Sequence, residues 1–412
     1  MRYKCINFAT DFYTYYLLYH KMTNNTYLAS KPRYEILDGL RGVAAIMVVI
    51  FHVVEFFAAP GEQHAVNHGY LAVDFFFMLS GFVIGYAYDD RWGKMSLWSF
   101  FKRRLVRLHP LVVLATVMGL CMFFLVSDSY PKVFESSPWL ILLCFVMALF
   151  MIPTTPGIDA RGWAEMNIFV DTSWSLTYEY LANILYALFL RHLPKAVLTV
   201  LCALAIIPLL DMTMGWNLTG MFPEAQYHIK GGWAIMPDQL YIGFTRLAFP
   251  FLCGMLISRI LPGRITKENP TGSPLRMRGG FWWASLLIVA ILCVPCIGGK
   301  DGVANGLYQV LCIVVVFPLI ILLGAGSRTT DSRSTRFCKF LGDLSYPLYI
   351  THFQLIFLQM AFVHNHPDAE LWQKWFVGVG IVVMSILVGY AVFKAYDEPV
   401  RHWLTERWLK RK

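Results

Sequence analysis

The sequence predicts an all-α fold: a polytopic transmembrane helical bundle of about ten spans, with one short re-entrant or interfacial helix and both termini cytoplasmic. Three observations predict it. The 412 residues are 57% hydrophobic and only 15% charged, with a mean hydropathy of +0.52, and a soluble chain of this length carries far more charge. Apolar stretches long enough to cross roughly 30 Å of hydrocarbon recur along the chain. Lysine and arginine gather between alternate stretches, 28 of the 35 falling in six segments that one topology places together. The formal charge of +9 then follows from the positive-inside rule, and no nucleic-acid partner is expected.

Residues 1–34 alternate aromatic and polar, without the apolar core and small-residue cleavage site of a signal peptide. They are expected to be a cytoplasmic or interfacial segment, so the sequon at Asn24 is expected to be cytoplasmic. The membrane domain runs over 35–400, and 401–412 is a basic cytoplasmic tail. No room remains for a second large soluble domain. The expected spans are 36–58, 70–88, 108–127, 173–190, 196–212, 239–260, 281–298, 305–325, 341–361 and 375–395. The basic segments 91–107 and 191–195 lie on one side, so an odd number of crossings cannot separate them. The apolar piece 138–152 therefore does not cross and is read as re-entrant or interfacial.

The first stretch is unlike a plain anchor. It carries Asp38, Arg41 and His52, and each charge near a bilayer centre costs about 2.5–3.5 kcal/mol even on the mildest scale. Arg41 and His52 are eleven residues apart. Three helical turns take about 10.8 residues, so both lie on one face, about 16 Å apart along the axis. Asp38 lies one turn before Arg41 and can pair with it. Gly39, Gly42, Ala44 and Ala45 let neighbouring helices approach. Two readings stay open: a helix facing a polar cavity, or Arg41 snorkelling while His52 satisfies a buried hydrogen bond.

Further polar groups fall inside the bundle. Asp74 sits at a depth similar to His52, where it either orients the imidazole or caps its own helix. FFKRRLVRLHP at 100–110 is a topology determinant, and Arg103, Arg104 and Arg107 also suit the phosphates of an anionic ligand. Glu179 needs a partner or a cavity, and Trp174 suits an interface belt. LGDLSYPLYITHF at 341–353 places Tyr349 and His352 in a helix kinked at Pro347. The nine cysteines form no framework, and CVPC at 293–296 lacks a redox context. HNH at 364–366 lacks the partners of a metal centre, and no metal is expected.

Five pieces together resemble the acyltransferase 3 family of integral-membrane acyltransferases: LDGLRGVAAIMVVIFH, DFFFMLSGF, FFKRRLVRLHP, WSLTYE, and LSYPLYITH with YDEP. The resemblance implies transfer of an acyl group, usually acetyl, from cytosolic acyl-CoA to a hydroxyl, commonly of an envelope or exported carbohydrate. A bacterial cytoplasmic membrane is the implied location. The family's essential Arg-x10-His pair falls on Arg41 and His52. His52 would be general base or transient acyl carrier, with Arg41, Asp74 and Glu179 in the catalytic set. Arg103, Arg104 and Arg107 would hold acyl-CoA. Trp174, Tyr349 and His352 would orient the acceptor. Many relatives carry an extra extracytoplasmic domain, and this chain, ending at Lys412, is expected to act alone or with a separate partner. The competing class is a secondary transporter of a small polar solute, which should show a repeat relating its halves. A scaffolding protein with a decayed site is a third class.

Overall fold

A computed structural model describes residues 31, 33–58, 63–126, 132–266, 269, 271–299, 302–329 and 331–410. The expectations for residues 1–30, the sequon included, lie outside these. The described residues are helical and contain no strand.

Helix α1 (Glu35–Glu55) is followed by α2 (Ala72–Tyr88) and α3 (Leu97–Leu125). A short helix α4 (Pro138–Leu149) leads to α5 (Ser173–Leu188), α6 (Lys195–Leu204) and α7 (Ile206–Thr213). Then come α8 (Pro237–Ile260), α9 (Gly280–Cys293), α10 (Val303–Leu311) and α11 (Phe317–Gly326). The long α12 (Ser332–Asn365), α13 (Leu371–Val392) and α14 (Glu398–Leu404) complete the order. A π-turn at Cys312–Val316 joins α10 to α11 just before Pro318, and another at Phe393–Asp397 joins α13 to α14 just before Pro399. Each proline has no N–H to give, and the widened turn absorbs that gap within a continuous rod.

Every expected span is a helix. Among the described residues, eight helical stretches are long and apolar enough to cross a bilayer by length and composition. The expected spans 173–190 and 281–298 are the shorter α5 and α9. Helix α4, started by the Ser137 side chain accepting from the Leu140 N–H and by Pro138, has only 12 residues and exposes Trp139, Leu142, Leu143 and Val146. That length and exposure suit a helix lying along an apolar surface. Large apolar side chains of α9 and α13 also face outward, among them Trp282, Trp283, Leu286, Trp375, Phe376 and Val379. Bare apolar faces of this extent are the solvent contact of a membrane protein.

Two helix pairs frame the interior, α1 against α12 and α2 against α8. Small residues set both approaches. A Cβ at Gly42 would collide with the Leu341 carbonyl of α12, and one at Gly254 of α8 would collide with the Met78 carbonyl of α2. Backbones this close gain van der Waals contact where lipid supplies no hydrophobic drive.

Two irregular segments, 150–172 and 214–236, both border one cavity. They are tied together by the Met166 N–H donating to the Trp233 carbonyl at 2.8 Å. Arg161 is fully buried in the first, bridging Asp171 and Glu165 with its guanidinium 4.3 Å above the Trp163 ring. Burial pushes the Asp171 carboxyl above its ordinary range, against the pull of Arg161. The backbone of these segments is irregular because it is roofed by protein and bordered by a cavity, the two settings that tolerate it.

Candidate active site

Among the described residues lie two chambers of about 630 and 640 Å³, each open to the outside. Helix α1 runs past both. His52 opens into one, the histidine chamber, and Arg41 into the other, the basic chamber. The single polar face read from the 11-residue spacing thus serves two compartments.

In the histidine chamber His52 Nδ1 lies 3.5 Å from Glu55 Oε2, one turn further along α1. Lys230, from the irregular segment 214–236, closes an ion pair on the other Glu55 oxygen. At that distance the contact is electrostatic, since His52 Nδ1 makes no hydrogen bond among the described residues, and it sets a negative charge beside the ring. His52 also stacks on His352, with ring centroids 5.5 Å apart, and meets the Phe353 edge at 5.0 Å. His352 is fully buried, its Nδ1 2.8 Å from the Tyr349 carbonyl. A carbonyl accepts only, so Nδ1 carries the proton and Nε2 faces no partner. The remaining walls supply His64, His228, Asn67, Trp233, Trp174 and Asp171.

Asp74 does not partner His52. It is fully buried, and Arg246 of α8 grips both its oxygens at 3.3 and 2.8 Å while donating to the Tyr70 carbonyl at 2.6 Å. The reason is cost: a buried carboxylate needs a cation with full hydrogen bonding, and an imidazole supplies less than a guanidinium. Trp174 is likewise not an interface-belt residue. It is 8% exposed and lies under the Arg246 guanidinium, 5.0 Å from ring centroid, in the chamber wall. His352 lines neither chamber and reaches the cavity only through its stack on His52.

The basic chamber is lined by nine lysines and arginines against six acidic residues, a net cationic surface. Arg41 donates to Ser345 Oγ and to the Gly342 carbonyl, each at 2.8 Å, and lies 3.6 Å from Asp38. Arg104 is bound to Glu179 at 2.7 Å, and the same carboxylate oxygen accepts from Ser80 at 3.1 Å. Glu179 therefore has its partner, and Arg104 spends its charge there. Arg103 and Arg107 line the wall, and Arg107 is exposed to the chamber. Tyr349 lines both chambers. Among the described residues no group of three or more His, Cys, Asp or Glu could hold a metal ion.

A helix carrying Arg41 and His52 between a cationic pocket and an imidazole pocket agrees with the family suggested by the sequence, and the comparison with known families decides it. The acyltransferase domain Acyl_transf_3 matches residues 34–394. The chain belongs to this acyltransferase family. It is 34% identical to "Protein 2 in picA locus" of Rhizobium radiobacter over 38% of this chain and 81% of that protein. It is 23% identical to "Putative O-acetyltransferase SACOL0978" of Staphylococcus aureus (strain COL) over 86% of this chain. It is 22% identical to "Putative peptidoglycan O-acetyltransferase YrhL" of Bacillus subtilis (strain 168) over 93% of this chain. The chain spans about half the length of these last two relatives, 55% and 56%. No solved structure matches it.

Glu55, Lys230, His228 and Arg246 were not among the expected site residues. Glu55 has a sequence signal, three residues after His52 on the same helix. Lys230 and His228 come from a segment without family motifs, and only folding brings them to His52.

Proposed function

We propose that the protein is a membrane O-acyltransferase. It moves an acyl group, most simply acetyl, from cytosolic acyl-CoA to a hydroxyl of an envelope or exported carbohydrate. One observation carries the reading: the Arg41–His52 face of α1 opens into a cationic chamber at one end and an imidazole chamber at the other. The phosphates of the donor suit the basic chamber, whose wall carries Arg41, Arg103 and Arg107. The acceptor suits the histidine chamber, where Trp174, Trp233 and Phe353 offer apolar ring faces beside Asn67, Glu165 and Asp171.

His52 takes the acceptor's hydroxyl proton as that oxygen attacks the thioester carbon. The carbon–sulfur bond breaks, and the CoA thiolate leaves and regains a proton from the imidazolium. Glu55, held by Lys230, steadies the cationic ring during the step. Direct attack places the carbonyl carbon within about 3.5 Å of the acceptor oxygen. In the relay form, His52 carries the acyl group first. The name of the Bacillus subtilis relative supports a carbohydrate acceptor of the peptidoglycan type.

The test uses inside-out vesicles containing the protein and acetyl-labelled acetyl-CoA. CoA release and label on membrane glycan should both depend on His52, falling about 10²–10⁴-fold in His52→Ala. Unchanged transfer in that variant would end the base and relay roles together.

A further inference from the structure

Tyr349 and Val73 are the two residues that line both chambers. Tyr349 is 7% exposed and sits on α12 beside Pro347. Its hydroxyl is 2.8 Å from Ser175 Oγ and donates to the Thr172 carbonyl at 3.3 Å, both at the start of α5. The Thr172 hydroxyl donates in return to the Tyr349 carbonyl at 3.3 Å. The ring edge packs on Phe76 of α2, with centroids 5.4 Å apart. Ser175 and Phe76 belong to the basic chamber wall, and Thr172 to the histidine chamber wall. Tyr349, hydrogen-bonded to the start of α5 and packed on α2, therefore fills, with Val73, the wall between the cation-rich and imidazole-rich compartments.

We propose that Tyr349 is a septum latched shut by Ser175 and Thr172, and that its displacement opens the passage by which an acyl thioester in the basic chamber meets His52. This rests on the acyltransferase reading for what passes, but not for the septum itself. The physical need is clear. The two poles of the α1 face are about 16 Å apart along the helix axis, while the reacting atoms must come within about 3.5 Å. A permanently open neck would let water and acceptor reach the thioester from one side and small ions leak from the other. A phenol ring with one polar end is a suitable plug: it fills an apolar neck and is held by hydrogen bonds worth little enough to break on donor entry. The ring also limits how bulky an acyl chain enters, so Tyr349 sets acyl size. It is a positioning and specificity residue, not a group that exchanges protons.

The test reads connectivity and coupling separately. Ala58 lines the histidine chamber, and Ala58→Cys reports its accessibility. A permanently charged methanethiosulfonate is added to one face of sealed vesicles, in each orientation, and modification at position 58 is read by peptide mass spectrometry. With Tyr349 intact, labelling proceeds from the histidine-chamber face alone. Tyr349→Ala should raise labelling from the basic-chamber face about tenfold or more. Tyr349→Phe, which keeps the ring but loses the hydroxyl's contacts to both Ser175 and Thr172, should raise it about five- to tenfold. Ser175→Ala, which leaves the Tyr349 bond to the Thr172 carbonyl, should raise it less, about two- to fivefold. In the acyl assay, Tyr349→Ala should raise CoA release without acceptor relative to label transferred, and admit longer acyl-CoA. Labelling from the basic-chamber face equal in Tyr349→Phe, Ser175→Ala and the parent overturns the septum, even where Tyr349→Ala fails to fold. Side-dependent labelling that responds to Tyr349 in a protein without acyl-CoA turnover supports the septum and overturns the acyltransferase reading instead.

Discussion

At the residue scale the informative unit is the run His52–Glu55–Lys230. The imidazole and carboxylate come from one helical turn, while the ammonium arrives from a segment 175 residues away from Glu55. Glu55 is about a quarter exposed, so its Coulomb attraction for an imidazolium is damped by water in the chamber but not abolished. Glu55→Gln keeps shape and loses charge. It should lower the rate of acyl transfer about tenfold while leaving acyl-CoA affinity unchanged, as read by initial rates across donor concentration. Equal losses in Glu55→Gln and in Lys230→Met would mean that the ion pair acts as one device. No loss in either would leave His52 oriented by its packing on His352 and Phe353.

At the element scale, α2 and α8 are held by two unlike contacts. Gly254 permits the backbones to touch, and Asp74–Arg246 locks their register with both partners buried. Removing one member of such a pair strands the other's charge. Arg246→Met should therefore cost about 3–5 kcal/mol, whereas the double variant with Asp74→Leu should recover most of it. Thermal unfolding in detergent measures both, and failure of the second substitution to restore stability would assign Arg246 a role beyond neutralising Asp74. Its bonds to the Tyr70 and Gly231 carbonyls and its stack on Trp174 are the contacts that would then remain to explain.

At the scale of the whole molecule, α1, α2, α5, α8 and α12 turn polar residues toward the chambers, while α9 and α13 turn apolar faces outward. Helix α4 stands apart from this plan, lying with its apolar residues exposed and its two ends on one side of the bundle in the topology proposed from the basic segments. Cysteines placed at Ser136 and Thr155, flanking α4, should label from the same face of sealed vesicles. Labelling from opposite faces would make α4 a crossing and invert every later span. The same experiment with cysteine in the 401–410 tail checks the expected cytoplasmic C-terminus.

Much of this plan is legible before folding. Helical class, the ten segments and the shared face of Arg41 and His52 follow from hydropathy and the 3.6-residue period, both of which are local properties of the chain. The pairing of Arg41 with Asp38 is local too, three residues apart. Asp74 shows where such reading stops. Depth along the membrane places it beside His52, yet depth says nothing of azimuth, and Arg246 on a helix 172 residues later takes it. Glu179 with Arg104, Lys230 with Glu55, and Tyr349 with Ser175 are of the same kind. By itself the sequence determined a helical membrane protein of the acyltransferase family with one polar helix face. Only the tertiary structure decided that this face serves two chambers, which carboxylate meets which cation, and that one tyrosine lines both chambers. Periodicity sets the direction in which a side chain leaves its own helix, but a cavity and its partition exist only where several helices close around them.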